Sequence, residues 1–226
     1  MQGPSHLLVS WFAAEANGLQ SPRDRRIVAW SGLAPDVDLL AYVGALLYYR
    51  FDQDLAFENV WRVVHHRYTH GLSFVLLTGI VAFLLASRGM RARAGAMRVA
   101  LLSMAISGVH NFCDLVAGGP TWPIYPLWPL SNFSWYTSWS WTIGEWPNLV
   151  ILFGALAGTL LYAKFAGRSP LECFGDRADH WLVRVVQQGA DHGSAAPGGN
   201  LRWIIWAVVV LVVIAILAPL GFRLGG

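Results

Sequence analysis

Charged residues are scarce in this chain, at 13% of its 226 residues, whereas hydrophobic residues make up 55%. A typical soluble domain has about 25% charged residues, because its surface faces water. The composition therefore argues against a soluble enzyme, a nucleic-acid-binding protein and a disordered protein. The length suits one membrane domain of five to seven helices, because each crossing needs ~20 apolar residues.

Cysteine is also scarce, and its two copies, Cys113 and Cys173, exclude a disulfide framework. Lysine occurs once, at Lys164, so the net charge of +3 comes almost entirely from arginine. No basic residue stands among the first five, and Glu15 interrupts the apolar run that follows. We therefore expect no cleaved signal peptide at this end.

The apolar residues fall into six stretches, most of them near the length that crosses ~30 Å of hydrocarbon. The stretches are residues 5–19, 27–49, 72–86, 99–116, 149–165 and 203–220. The first is short and amphipathic, and the last carries no charge. We predict an all-α fold: a polytopic membrane helix bundle with five to six transmembrane helices. It forms one integral-membrane domain over residues 1–226, with a metal-motif half at about 1–130 and C-terminal helices at about 147–226.

Arginine indicates the orientation, since cytoplasmic turns of membrane proteins are enriched in basic residues. The turn over residues 88–98 carries four arginines and no acid, and we place it in the cytoplasm. Residues 118–146 contain neither lysine nor arginine, so we place them outside. The sequence thus predicts an integral protein of a bacterial inner (cytoplasmic) membrane.

Residues 118–146 form what we call the aromatic segment, with six tryptophans and four prolines that recur every third residue. These prolines, at positions 120, 123, 126 and 129, forbid a regular helix there. Tryptophan and tyrosine favour the headgroup level of a bilayer. We predict a loop in the membrane interface, which also suits a platform that receives membrane lipid.

Ionisable side chains inside apolar stretches are functional candidates, because burying them in lipid costs several kcal/mol unless they are paired or metal-bound. In this chain they are histidines and aspartates. The predicted metal ligands are His6, Asp36, Asp38, His66, His70, His110 and Asp114. We leave His65 out of this set, as a loop residue.

The spacing of these residues is typical of metal ligands. His66 and His70 are four residues apart, as are His110 and Asp114, so each pair would share one face of a helix. Asp36 and Asp38 would not share a helical face, but Pro35 breaks the helix and allows both to point to one cavity.

Depth gives a separate argument. At ~1.5 Å per residue, Asp36 and Asp38 lie ~15–18 Å above Arg26, and His110 and Asp114 lie ~18–24 Å above Arg98. The ligands from different stretches can therefore meet, and we predict a site in the outer half of the bilayer.

Imidazole and carboxylate ligands without thiolate suit a divalent metal, zinc first, with manganese or iron as alternatives. Seven candidates exceed the four ligands of one tetrahedral zinc, so two ions can be accommodated. Arg67 stands between two of the histidines, stays charged, and can hold a phosphate or a developing anion. Asp36 or Asp38, where not ligated, can take a proton from water.

At these residues the chain resembles the LexA-regulated, membrane-bound metal-dependent hydrolase family (YdjM-like). The resemblance spans about residues 1–120, from the Ser-His-Leu-Leu of residues 5–8 through Pro-Asp-Val-Asp at 35–38 and His-Arg-Tyr-Thr-His at 66–70 to His110, Asp114 and the Gly-Pro at 119–120. The family commonly has serine where this chain has Gly71. The resemblance implies a polytopic membrane metalloprotein assigned as a hydrolase.

The leading hypothesis is a membrane-embedded metal-dependent hydrolase that acts on a phosphoester or lipid-linked substrate through metal-activated water. The alternatives are a polytopic transporter or channel, in which His and Asp line an ion or metal pathway, and a haem or quinone protein. The absence of an evident repeat argues against many transporter folds, and aspartates are poor haem partners. No nucleic-acid partner is expected, and the oligomeric state stays open.

Overall fold

A computed structural model of the chain describes residues 1–88, 93–119, 121–188, 207, 208 and 210. The regular elements in these residues are helical, which confirms the predicted all-α class, and one isolated antiparallel bridge joins Ile124 and Trp135. The α-helices are α1 (Gly3–Ala16), α2 (Pro22–Leu33), α3 (Leu39–Tyr48), α4 (Gln53–Ala56), α5 (Arg62–Val64), α6 (Leu72–Ser87), α7 (Arg93–Ala117), α8 (Trp146–Ala166) and α9 (Asp176–Gln188). Two 3-10 helices (Ala34–Asp38 and Pro170–Phe174) and a π-helix (Phe57–Trp61) complete the set.

The third, fourth and fifth apolar stretches become α6, α7 and α8 with nearly the predicted bounds. Helix α8 has a proline in its first turn, where the missing N–H costs nothing. It ends at Gly167, whose φ of 65° is the left-handed conformation that glycine adopts easily. The sixth stretch, residues 203–220, lies outside the described residues apart from positions 207, 208 and 210.

The second apolar stretch is divided into α2, the 3-10 helix Ala34–Asp38 and α3. Pro35 has no N–H to donate and crowds the preceding turn, so the α-helix ends at Leu33. The predicted interruption of this stretch is thereby confirmed, and it places two carboxylates on a tight turn between two helices.

The connection between the second and third stretches contains short helical segments from Gln53 to Val64. Arg50 and Phe51 turn the chain with positive φ angles of 54° and 67°. Asp52 then caps the next helical segment by accepting a hydrogen bond from the Leu55 N–H at 3.0 Å. The π-helix that follows ends at Trp61, next to the histidine-rich turn.

The described chain forms two compact units. The first consists of Met1 and residues 31–143. In it α6 packs against α7 through small side chains such as Ala82, Ala86, Ala96 and Ala100, which allow the two helices to approach closely. The prediction of a single domain stays a prediction.

The second unit contains residues 2–30 and the chain from residue 144 onward. Its core is aromatic: Trp11 and Phe12 of α1 meet Tyr162 of α8 edge to face, with ring centroids 5.3 to 5.9 Å apart. Such pairs add about 0.5–1.5 kcal/mol to the burial of their area.

Helices α7 and α8 are long and apolar enough to cross a membrane, and α6 is a shorter apolar helix of 16 residues. Large apolar side chains on α6 and α8 are exposed, among them Leu76, Leu84, Phe153 and Leu160. These findings apply to the described residues, so the predicted count of five to six crossings stays a prediction.

Candidate metal centre

Four side chains of the first unit converge on one point: Asp36, His70, His110 and Asp114. One ligand atom from each lies within 4.8 Å of every other. His70, His110 and Asp114 are buried, while 19% of the Asp36 side chain is exposed. Two imidazoles and two carboxylates are a ligand set that divalent metals such as zinc accept.

Different elements supply the four ligands. His110 and Asp114 lie one turn apart on α7, so their side chains share one face of the helix. Asp36 comes from the 3-10 helix and His70 from the turn that precedes α6. Ligands that are far apart along the chain therefore meet because α7 packs against two turns. One is the 3-10 helix before α3, and the other is the turn between α5 and α6.

The distances between ligand atoms fit a metal ion. Atoms 2.0–2.1 Å from a tetrahedral zinc are about 3.3 Å from one another. His110 Nε2 lies 2.9 Å from Asp114 Oδ2 and 3.2 Å from His70 Nε2, and His70 Nε2 lies 3.3 Å from Asp114 Oδ2. Asp36 Oδ1 is 3.6 Å from His110 Nε2 and 4.0 Å from His70 Nε2. Two imidazole nitrogens and a carboxylate at these separations are the arrangement that a shared cation stabilises.

Hydrogen bonds orient both imidazoles. His110 Nδ1 lies 2.7 Å from the Gly32 carbonyl oxygen, which only accepts, so this nitrogen carries the proton and Nε2 faces the cluster with its lone pair. His70 presents Nδ1 to the Asp38 carboxylate at 3.6 Å and to Thr69 Oγ1 at 3.2 Å. Partners of this kind fix the tautomer and raise the basicity of metal-binding histidines.

Asp38 lies on the far side of His70 from the other two carboxylates. It accepts a hydrogen bond from Thr69 Oγ1 at 3.0 Å, and both of its oxygens are 3.1 Å from His65 Nδ1. These contacts suit a carboxylate that orients imidazoles. The predicted role of Asp38 as a ligand or proton acceptor stays a prediction.

His66 and His70 do not share a helix, contrary to the interpretation of their spacing. Helix α5 ends at Val64 and α6 begins at Leu72, and His66 has a positive φ of 65°. Its carbonyl accepts a hydrogen bond from the Tyr125 N–H, and its Nε2 lies 3.7 Å from Asp114 Oδ2. The two histidines converge because the chain turns here. A positive φ at a residue other than glycine costs about 1–3 kcal/mol.

Burial changes the protonation of these turn histidines. It lowers the pKa of His66 well below the usual 6.5 and lowers that of His70 to about 4. Both imidazoles are therefore neutral near pH 7, which is the form that binds metals.

His65, which we left out of the predicted ligands, is part of the histidine cluster. Its ring stacks on Trp61 at 3.9 Å between centroids and lies 4.0 Å from the ring of His66. With His66 and His70 it forms a second group whose ligand atoms lie within 4.8 Å of one another. The adjacent histidines at positions 65 and 66 could have indicated from the sequence that His65 belongs to the cluster. The π-helix that presents Trp61 to His65 was not predicted.

Arg67 and His6 are not members of the group of four. Arg67 donates a hydrogen bond from Nη2 to Asn132 Oδ1 at 3.1 Å, and its guanidinium lies 5.2 Å from the centre of the Tyr125 ring. It therefore contacts the aromatic segment. His6 is buried on α1 in the second unit. The predicted roles of both residues stay predictions.

The described residues 118, 119 and 121–145 of the aromatic segment are not helical, as its prolines predicted, and those up to residue 143 are docked beside the histidines in the first unit. The Trp141 N–H bonds to the Val116 carbonyl at 3.2 Å, and the Leu72 N–H bonds to the Pro126 carbonyl at 2.8 Å. Trp122 contacts the rings of His65 and His66. A Cβ atom at Gly71 would lie 3.2 Å from two carbonyl oxygens of this segment, which explains glycine at that position.

Other side chains of the aromatic segment are exposed, including Leu130, Phe133, Trp135 and Tyr136. Exposed aromatic and aliphatic residues of this kind occur at the interfacial level of membrane proteins.

A helical chain with membrane-length helices and a buried His/Asp group belongs to the class of helical membrane proteins with a possible metal site. A model of the YdjM inner membrane protein family matches residues 1–222, so the chain belongs to that family. This confirms the resemblance drawn from the motifs and supports the predicted membrane location. Searches of curated proteins and of solved structures found no match to this chain.

Proposed function

We propose that this chain is a membrane-embedded metal-dependent hydrolase that acts on the phosphoester of a lipid or lipid-linked substrate. One observation supports the proposal above all others: the ligand atoms of Asp36, His70, His110 and Asp114 lie within 4.8 Å of one another. We infer that zinc occupies this group, because its ligand atoms are nitrogen and oxygen and those of His70, His110 and Asp114 lie 2.9 to 3.3 Å apart, close to the separation in a tetrahedral zinc site.

A divalent ion in this group supplies Lewis-acid chemistry, which makes water acidic enough to react near neutral pH. Asp36 is the most exposed of the four side chains and lies farthest from the imidazole nitrogens, at 3.6 and 4.0 Å, so it suits the role of proton acceptor when it is not ligated. Asp38 holds His65 and His70 in place through the contacts described above.

Arg67 and the aromatic segment suit the binding of a lipid phosphate. The planar guanidinium matches phosphate oxygens, and the Tyr125 ring and Asn132 hold it next to the histidine turn. The exposed side chains of Phe133, Trp135 and Tyr136 would contact acyl chains, so that the tails stay in the bilayer while the headgroup reaches the ligands.

We propose further that the chain crosses the bacterial inner membrane five or six times and that the site lies in the outer half. Helices α7 and α8 support this placement, as does the lack of lysine and arginine in residues 118–146. A cysteine introduced by Ser131→Cys should react with an impermeant reagent from outside, and one introduced by Ala94→Cys should not. The reverse pattern would contradict the placement.

The proposed activity is tested by elemental analysis of the purified protein, followed by a screen of lipid phosphoesters in nanodiscs. We expect stoichiometric zinc and release of a phosphate or phosphorylated headgroup from at least one substrate. His110→Ala should abolish both, and His180→Ala, which replaces an exposed histidine, should change neither. Metal-free protein, or metal-loaded protein that moves ions across liposomes without hydrolysis, would overturn the proposal.

Arg67 is tested separately by Arg67→Lys, with Arg62→Lys as the control, since Arg62 is exposed and pairs only with Glu58 four residues earlier. Lysine keeps the charge but loses the bidentate fork, so turnover of a lipid phosphoester should fall while the metal content stays unchanged. A loss of metal instead would indicate that Arg67 supports the fold of the turn.

A further inference from the structure

Helix α9, in the second unit, presents an apolar edge that is exposed among the described residues. Phe174, just before the helix, is 63% exposed, Trp181 is 57% exposed and Val185 is 52% exposed. Trp181 and Val185 are four residues apart on the helix, so they fall within about 40° of each other around its axis. The opposite side of α9 is buried through Asp179 and Leu182.

The helix is held at the end of α8. Asp179 accepts hydrogen bonds from the Ser169 N–H at 2.6 Å and from Ser169 Oγ at 2.7 Å. About 12 Å further along α9, Gln187 Nε2 donates to the Lys164 carbonyl at 3.2 Å. Both attachment points lie within the last turn of α8 or just after it, so α9 stays level with the point at which this membrane-length helix ends.

The charge next to the apolar edge is positive. Arg177 and Arg184 are exposed, seven residues apart, and fall on the same side of α9 adjacent to Trp181. Both acids of the helix are engaged elsewhere, since Asp176 pairs with Arg26 and Asp179 bonds to Ser169. A tryptophan-containing apolar edge flanked by arginines is the pattern of helices that lie in a membrane interface and bind anionic lipid.

We propose that α9 is an interfacial helix that binds anionic phospholipid in the leaflet at which α8 ends. Trp181 and Val185 lie among the upper acyl chains, and Arg177 and Arg184 contact the phosphates of the headgroups. The proposal does not depend on the hydrolase activity, because it concerns the other unit.

The test compares single cysteines placed by Trp181→Cys and Val185→Cys with a matched control, His180→Cys, on the neighbouring polar side of the helix. The full chain is spin-labelled in nanodiscs of phosphatidylglycerol with phosphatidylcholine, or of phosphatidylcholine alone. Unlabelled wild type gives the background, since its own cysteines are buried. Collisions with oxygen report lipid, and collisions with a water-soluble nickel complex report water.

We expect labels at 181 and 185 to favour oxygen several-fold over the label at 180, and more strongly in the anionic discs. The double variant Arg177→Gln and Arg184→Gln should remove the dependence on anionic lipid. Each arginine should contribute about fivefold to the preference for anionic over neutral lipid. Because 181 and 185 are measured independently, a variant that fails to fold does not decide the result.

Two outcomes would overturn the proposal. Equal nickel accessibility at 180 and 181 would show that the edge faces water. Low accessibility to both reagents that does not change with lipid would show that protein covers it, either residues 189–226 or a second copy of the chain.

Discussion

The buried charges of the two units are compensated in different ways. In the second unit, Arg25 pairs with Glu172 through two hydrogen bonds of 2.7 and 2.8 Å and lies 3.4 Å from Glu15, which also pairs with Arg168. Each carboxylate in this network has a guanidinium beside it. In the first unit, three aspartates gather around histidines, of which burial holds His66 and His70 neutral, and Asp114 also pairs with the α-amine of Met1.

The difference shows what each network requires. An arginine–glutamate network is complete by itself, because the charges cancel within the protein. A group of aspartates and histidines concentrates carboxylate oxygens and imidazole nitrogens at one point, and a cation would stabilise that arrangement. Burial of charge alone therefore does not indicate a metal site. The distinguishing feature is whether the buried carboxylates are paired with arginines or gathered with histidines.

Asp114→Asn should have the largest effect, because Asp114 lies within 3.7 Å of three histidine nitrogens. An amide is a poorer ligand than a carboxylate, so bound metal should fall below a tenth of the wild-type content, measured by plasma mass spectrometry. Asp54→Asn, at an exposed position, serves as the control. Full metal retention in the Asp114 variant would mean that the cluster is a polar packing network like that of the second unit.

Arg25→Met should mainly reduce stability. It leaves Glu172 buried without its partner, which costs about 3–5 kcal/mol in unfolding free energy. Metal content should not change. Thermal unfolding in detergent measures the effect, with Arg62→Met as the exposed control at about 0.3–0.5 kcal/mol. If Arg25→Met with Glu172→Leu recovers most of the loss, the network is confirmed as a closed pair; no recovery would argue against it.

Asp38→Asn should weaken metal binding without removing a ligand from the group of four. Loss of an orienting partner of a metal-bound histidine typically lowers affinity 10–100-fold. Chelator competition should detect this change, while metal content at saturation stays complete. Thr69→Val should act in the same direction with a smaller effect, since Thr69 bonds to Asp38 at 3.0 Å. Unchanged affinity in both variants would exclude an orienting role.

The smallest effect concerns two glycines, Gly108 within α7 and Gly118 just after it. A Cβ at Gly118 would lie 2.6 Å from the Asp114 carbonyl oxygen and 3.3 Å from His66 Cε1, whereas nothing lies within 4 Å of a Cβ at Gly108. Gly118→Ala should shift Asp114 and weaken metal binding by less than Asp38→Asn does. Gly108→Ala should be neutral or stabilise the helix by up to about 1 kcal/mol. Equal affinities in the two variants would contradict the close fit at Gly118.

Helical periodicity was a sound guide where a helix was present. His110 and Asp114 lie within an unbroken apolar run, so their spacing predicted a shared face, and they are 2.9 Å apart. The same spacing at His66 and His70 predicted the wrong local structure, because a turn and a helix can both bring residues four apart together. Periodicity could also have revealed α9, whose apolar residues recur every three or four positions.

Contacts across the chain could not be derived from spacing. Asp38 and His65 are 27 residues apart, and no local pattern distinguishes an aspartate that binds metal from one that orients a histidine. The position of Arg67 against Tyr125 depends in the same way on how the aromatic segment folds back. Residue types predicted the chemistry of the cluster, whereas its internal order required the tertiary structure.

The bond from His110 to the Gly32 carbonyl has a consequence for how the protein is made. These residues are 78 positions apart, and ribosomes add about 5–20 residues per second. Asp36 and Asp38 therefore leave the ribosome roughly 4–15 s before His110 and Asp114 do. During this interval two carboxylates enter the insertion machinery without their histidine partners from α7. The group of four candidate ligands is therefore complete only once the chain has been synthesised through Asp114.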